Sequence, residues 1–367
     1  REFLKNVYFW LTNVDVTQDS ASQTILVPNY RENYRRYRNR SHITMPETDQ
    51  VQYIEVYVSQ TGQPNQGETQ YSGRAVAMQF LGDLFSPNFD TLVDKNHVQA
   101  TWQPLERTTE YTIDTQLGII RLRQPLSDQQ ALAVAFATQT DTFGLVQQPA
   151  NNLRLVLLRA GDSAPTDSTW NLMYRHVYYV DATNIIPDNF RLSISRESAS
   201  SQQDEVNPPV PGFCPQEYNI GTECTYLTFF RFDVEGQGGV QTPDGLVDQA
   251  VFHAPLGELE FLDLTPFDPS GYYDSPDAFI GDEDFILWPL QTLDSLVDTA
   301  NNQFVAPYLY NTIPTQHNQG GRSVLWRFTT EFRGTLSVFQ LGPLVLEGSE
   351  EVTLNGAPLS RGTDYTI

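Results

Sequence analysis

The sequence predicts a mainly β, multi-domain protein: antiparallel, sandwich-like modules with one or two short helices. Three observations predict it. Apolar and polar residues alternate in short runs rich in β-branched and aromatic side chains, the period of a half-buried strand. Proline and glycine, 23 of each, punctuate those runs. Helical spacing occurs in only two places. The chain has 367 residues, more than one ordinary core accommodates, so two or three domains are expected.

The first clear strand is 51–58, Val-Gln-Tyr-Ile-Glu-Val-Tyr-Val. Segments 153–158, 190–195, 225–232 and 323–332 read the same way. The first helical signal is Tyr30, Tyr34 and Tyr37, inside an arginine–tyrosine run over 30–40. The second is Leu293, Leu296, Val297 and Ala300 after Thr292, which predicts an amphipathic helix near 292–302.

One unit occurs twice. Residues 102–122 and 348–367 each carry a leucine, a charged turn, then Tyr-Thr-Ile after an acidic residue. In the first copy Gly118 permits a tight reversal into the next strand. The second ends on Asp364-Tyr365-Thr366-Ile367, an alternating strand with no turn after it, as expected of a piece of a longer protein. Polar, turn-rich stretches at 61–73, 143–152, 198–211 and 311–321 serve as loops or boundaries. The expected domains are 1–145, with a hairpin unit at 102–136, 146–320, with the helix near 292–302, and 321–367.

The formal net charge is −23, and lysine occurs only as Lys5 and Lys95. A field of that sign repels nucleic acid and anionic headgroups. Only 30–40 is strongly basic. Its arginines are expected to pair with acidic neighbours or a partner while its tyrosines pack. No run of about 18 apolar residues predicts a membrane helix. Arg1-Glu2-Phe3 lacks the basic-then-apolar start of a signal peptide.

Cys214 and Cys224 flank nine turn-rich residues. A disulfide closing that loop would contribute on the order of 2–3 kcal/mol. It would also imply an oxidising compartment. The other reading is a pair of free thiols.

No catalytic set has convincing spacing, and the expected answer is that the chain is not an enzyme. His42, His97, His176, His253 and His317 are scattered, with no cysteine or carboxylate at metal spacing. No nucleophile elbow, phosphate loop or dinucleotide fingerprint occurs. The best metal candidate is 233–248, where Asp233, Glu235, Asp244 and Asp248 surround glycine turns. Calcium needs several oxygens on a chain that can curl, and Gly245 permits the curl, although the spacing is not that of an EF-hand. The other reading is an acidic turn between strands. No other cofactor is expected.

Several blocks in order resemble the SprA/Sov family, the giant outer-membrane proteins of the type 9 secretion system, also linked to gliding motility. Residues 54–58 and 74–84 are similar to its strand and "A-x-M-D-L-G" block. Residues 111–126 and 131–136 resemble "Y-x-x-N/D-x-x-x-G-x-I-x-L-x-x-x-L … L-A-V-A-F". Residues 152–158 and 169–178 resemble "L-x-x-K-x-L … T-W-D-L-M-M-K-N-V-Y", and Trp170-Asn171-Leu172-Met173 is the most specific match. Residues 190–192, 243–248 and 350–367 follow in the family's order. The cysteine pair and the 198–211 stretch depart from the pattern. The "F-P-x-x-E-P-F" block survives only as Trp288-Pro289-Leu290 or over 264–267.

The resemblance implies a role in protein export through a very large outer-membrane β-barrel. Strands of about ten residues with aromatic girdles, which a barrel wall needs, are missing here. The segment therefore reads as a soluble insertion that caps or shapes the pore. Its expected position is extracellular, with the periplasm as the second reading, and its expected partners are other secretion-system subunits and secreted cargo. The competing reading is a free-standing adhesin or carbohydrate-binding module. That reading requires exposed tryptophans, with Trp10, Trp102, Trp170, Trp288 and Trp326 as the test positions.

Overall fold

The computed structural model describes residues 5–19, 21–37, 45–60, 71–145, 152–180, 182–198, 201–204, 225–230, 232–233, 244–249, 251–261, 264–266, 310, 324–332, 353–354 and 357–358. Within them the protein is mainly β, in several sheets, with two α-helices.

The chain begins with β1 (Tyr8–Trp10) and a small hairpin of β2 (Val16–Gln18) and β3 (Thr24–Leu26), followed by α1 (Tyr30–Tyr37). The spacing of Tyr30 and Tyr34 puts both on the buried face of α1. Next come β4 (Tyr53–Ser59), β5 (Tyr71–Ala77) and a 3₁₀ stretch at Met78–Phe85. They are followed by β6 (His97–Pro104), β7 (Tyr111–Asp114), β8 (Ile119–Leu122), β9 (Leu132–Ala137), β10 (Thr142–Phe143) and β11 (Leu153–Arg159).

Strands β9, β11, β5, β6 and β4 pair in that order, and β4 pairs back onto β9, which closes the ring. All its pairings are antiparallel except β5 with β11. Both faces are apolar, because alternate residues of β4, β5, β9 and β11 enter different clusters. Val56, Val76, Val134, Phe136 and Val156 pack with β1, α1 and the 3₁₀ stretch. Tyr57, Ala75, Ala133, Ala135 and Leu155 pack around Trp102, whose Nε1 donates to the Gly73 carbonyl at 3.1 Å. A separate three-stranded sheet, β1-β8-β7, lies against the first cluster.

The boundary expected at 145/146 runs through this ring. Strand β11 sits beside β5 and β9, and Leu158 and Val177 share a core with Phe9. The loop expected at 61–73 also gives way to strand at Tyr71.

The second body holds β12 (Val177–Tyr179), β13 (Arg191–Ser198), β14 (Ser201–Asp204), α2 (Tyr226–Phe229), β15 (Phe252–His253), β16 (Glu258–Glu260) and β17 (Val324–Glu331). Its sheets are β12-β16-β15 and β14-β13-β17. Its core gathers Phe190, Phe230, Phe232, Phe252 and Phe261. Part of the expected loop 198–211 is strand, since β14 folds back on β13. The expected strand at 225–232 is instead the short helix α2. Thr225 caps it, accepting the Thr228 amide on its hydroxyl at 3.3 Å. The last described pieces, β18 (Thr353–Leu354) and β19 (Ala357–Pro358), pair antiparallel. The helix expected near 292–302 lies outside the described residues.

Candidate functional site

The strongest polar site is built on β16. In a strand, successive side chains point to opposite faces. Leu259 enters the core of the second body, so Glu258 and Glu260 turn the other way, toward β1, β8 and α1. Neighbouring β12 splits likewise: Val177 joins the first core, and Tyr178 packs against the second.

Glu258 is buried and fully engaged. Arg121 Nη2 donates to its Oε1 at 2.6 Å, and the Tyr8 hydroxyl donates to its Oε2. Arg121 Nε also donates to the Tyr8 hydroxyl at 2.9 Å, which closes a triangle. Burial alone would lower the Arg121 guanidinium, but its bonds to Glu258 and Tyr8 turn the shift upward. Burial and the facing Glu258 carboxylate push the Tyr8 phenol well above its usual value.

Glu260 gathers the rest. His253 Nε2 lies 2.9 Å from its Oε2, His176 Nε2 lies 3.5 Å from its Oε1, and the Tyr34 hydroxyl donates to Oε1. Burial would raise this carboxyl, but the nearby His176 and His253 imidazoles and the Tyr34 hydroxyl overcome that and hold it well below the carboxylate range. The bond to Glu260 raises the His253 imidazole against the opposing effect of burial. Behind the carboxylates stands an aromatic stack. Trp10 and Tyr174 have ring centroids 3.9 Å apart, and Tyr174 and His176 4.5 Å apart.

The sequence-predicted residues fall elsewhere. Asp233 is buried, and its two oxygens accept the amides of Asp244 and Gly245, each at 2.9 Å. Burial raises its carboxyl, while those two amides oppose the rise. Asp244 is exposed, and its carboxylate accepts the Leu246 amide at 2.9 Å. Asp248 donates its amide to the Phe232 carbonyl. Asp233 thus holds residues 244–245 through their backbone amides. Among the described residues no group of three or more His, Cys, Asp or Glu is arranged to hold a metal. Glu235, Cys214 and Cys224 lie outside the described residues, as do His42, His317 and Trp288.

Three histidines are described. His97 bridges two carboxylates, with Asp94 at 2.9 Å on Nδ1 and Asp83 at 3.0 Å on Nε2. It fastens the 3₁₀ stretch to the start of β6. His176 and His253 meet at Glu260. Trp10, Trp102 and Trp170 are all buried. The side chain of Trp326 lies outside the described residues.

Sequence reasoning missed the Glu258–Glu260 site. Its one local signal is the pair His253 and Glu260 flanking the Gly257 turn of a short hairpin. Tyr8, Tyr34, Arg121 and His176 come from distant parts of the chain.

Chemically, a histidine–carboxylate pair can orient a base. Among the described residues, however, no hydroxyl or thiol hydrogen-bonds His253, and both carboxylates are occupied by donors from the chain itself. The arrangement is suited to holding two bodies together. No helix among the described residues is long and apolar enough to cross a membrane. Compared with known protein families and with curated proteins, the chain matches none.

Proposed function

We propose that this chain is a non-catalytic, rigid β scaffold, a soluble part of a giant outer-membrane translocon that shapes or caps the pore in type 9 secretion and gliding motility. The observation that carries the scaffold reading is the joint at β16, where the buried Glu258 and half-buried Glu260 of the second body are satisfied by Arg121, Tyr8 and Tyr34 of the first. Such a joint fixes the relative position of two cores and leaves neither carboxylate available for acid–base work. The translocon reading rests on the ordered blocks that resemble the SprA/Sov family, above all Trp170-Asn171-Leu172-Met173. The strongly acidic surface discourages non-specific sticking of cargo. Other secretion subunits and secreted proteins are its partners, and its position is extracellular, with the periplasm as the alternative. The burial of Trp10, Trp102 and Trp170 favours this reading over a carbohydrate-binding adhesin.

The test is an in-frame deletion of the coding stretch for 1–367 in the source organism. The expected outcome is loss of secreted cargo from the medium and loss of surface gliding, with the parent protein still in the outer membrane. Unchanged secretion would overturn the proposal. Protease shaving of intact cells separates the two sides, because only an extracellular scaffold is cut.

A further inference from the structure

The hairpin of β2 and β3 carries an open strand edge. Asp19 donates its amide to the Gln23 carbonyl, and Val27 donates its amide to the Asp15 carbonyl. In an antiparallel ladder, hydrogen-bonded pairs alternate with non-bonded ones. The bonded pairs are therefore Asp15–Val27, Thr17–Ile25 and Asp19–Gln23, and the pairs Val16–Leu26 and Gln18–Thr24 lie between them. The N–H and C=O groups of Thr24 and Leu26 accordingly point away from β2. Among the described residues no hydrogen bond uses them.

The hairpin is braced from its inner side. Thr17 is buried and donates its hydroxyl to the Met78 carbonyl at 2.6 Å, and Ile25 packs against the first core. Asp19 Oδ1 accepts the Ala21 and Gln23 amides, each at 2.8 Å, which shapes the turn. The outer face sets Val16, 52% exposed, across from Leu26, 76% exposed. Natural edge strands are guarded by lysine, proline, an inward-pointing charge or a bulge. Thr24-Ile25-Leu26 has none of these, and its one guard is its length of three residues.

Backbone donors and acceptors that repeat every second residue are met together by another extended backbone. Alternate side chains of such a strand share the face of Val16 and Leu26, so apolar ones fit there. Charge then chooses between partners. Residues 6–30 carry Asp15 and Asp19 and no cation, and Asp15 is exposed. The next cation, Arg31, is turned inward, with Cζ 5.7 Å over the buried Trp10 ring. A second copy of the chain brings the same two carboxylates and another net charge of −23. We propose that β3 is a docking edge for an extended segment of another protein, apolar at alternate residues and flanked by lysine or arginine, which adds a strand to the hairpin. This goes beyond the scaffold reading and stands without it.

The test uses the whole chain and three capped, fluorescein-labelled peptides. The first is Lys-Val-Thr-Val-Thr-Val-Lys. The second replaces both lysines with glutamate, and the third is the first N-methylated at every interior amide. Anisotropy titrations are expected to show the lysine peptide binding at least about fivefold more tightly than the glutamate peptide at low salt. The N-methylated peptide cannot complete the ladder and is expected not to bind. At about nine-tenths saturation with the lysine peptide, hydrogen–deuterium exchange at Thr24 and Leu26 should slow about tenfold. Leu26→Lys puts a cation at an exposed position. It is expected to keep the wild-type Tm and to weaken the lysine peptide at least about fivefold. The proposal is overturned if the lysine peptide fails to bind, if either control peptide binds as well, or if residues 24–26 gain no protection. A concentration-dependent dimer in ultracentrifugation that Leu26→Lys dissolves would also overturn it, by giving the edge to a second copy.

Discussion

Glu260 shows how an imidazole from its own hairpin, His253, together with His176 and Tyr34 from distant parts of the chain, converts a costly half-buried carboxylate into a stabilising one. The signs of its shift and of His253's are opposite, and so are their pH windows. The Glu260 carboxyl is lowered in the folded state, so its contribution is present above the unfolded value of about 4.3 and is lost as pH falls through the lowered one. His253 is raised, so its contribution is complete below about 6.5 and is lost as pH rises through the raised value. The His253 side chain is 44% exposed, which screens its bond to Glu260. We therefore expect His253→Gln to be less stable than wild type by under about 1 kcal/mol at pH 5.5. The two should converge on the alkaline side, as followed by urea denaturation across pH 5 to 9. A difference that grows with pH would contradict the assignment. In the sequence these histidines are scattered, because the spacings that betray a local motif do not register contacts 84 or 226 residues apart, such as His176 with Glu260 or Tyr34 with Glu260.

At the scale of elements, the turn between β7 and β8 is the clearest link from sequence to fold. Gly118 has φ +61°, the left-handed region its place in the hairpin pattern implied. The structure adds a second requirement, because a Cβ there would lie 2.3 Å from the Tyr30 ring of α1. Gly118→Ala therefore combines backbone strain with overpacking. We expect it to cost about 2–4 kcal/mol, read as a lower urea midpoint at unchanged slope. Tyr30→Leu in the same background should recover part of the loss by making room. Strands β4, β11, β13 and β17 were legible from short runs of β-branched, aromatic and other apolar residues. Segment 225–232 was not. Its Leu227, Phe230 and Phe232 are all buried around a single helical turn, and the aromatic content imitates a strand. In the acidic segment Asp233 acts by accepting the backbone amides of Asp244 and Gly245.

For the whole molecule, the division expected at 145/146 was read from local punctuation, which marks loops and carries no information on which strands pair. The parallel register of β5 with β11 joins residues about 80 apart and puts β11 inside the first ring. The physical joint between bodies lies instead at β16, and Glu258 tests it. Replacing Glu258 with Gln keeps the volume but leaves Arg121, whose side chain is 19% exposed, without its counter-charge. Breaking a buried pair on one side costs about 3–5 kcal/mol. Glu258 belongs to the second body and Arg121 to the first, so most of that loss falls on their coupling. Wild-type protein is expected to unfold in calorimetry as one dominant transition, and Glu258→Gln in two, with the lower one assigned by loss of Phe and Tyr packing in the second body. Replacing both partners with methionine removes the orphaned charge, so Arg121→Met with Glu258→Met should recover much of the stability and restore a single transition. If Glu258→Gln keeps one transition at the wild-type midpoint, the β16 carboxylates do not join the two bodies, and the rigid scaffold loses its physical basis.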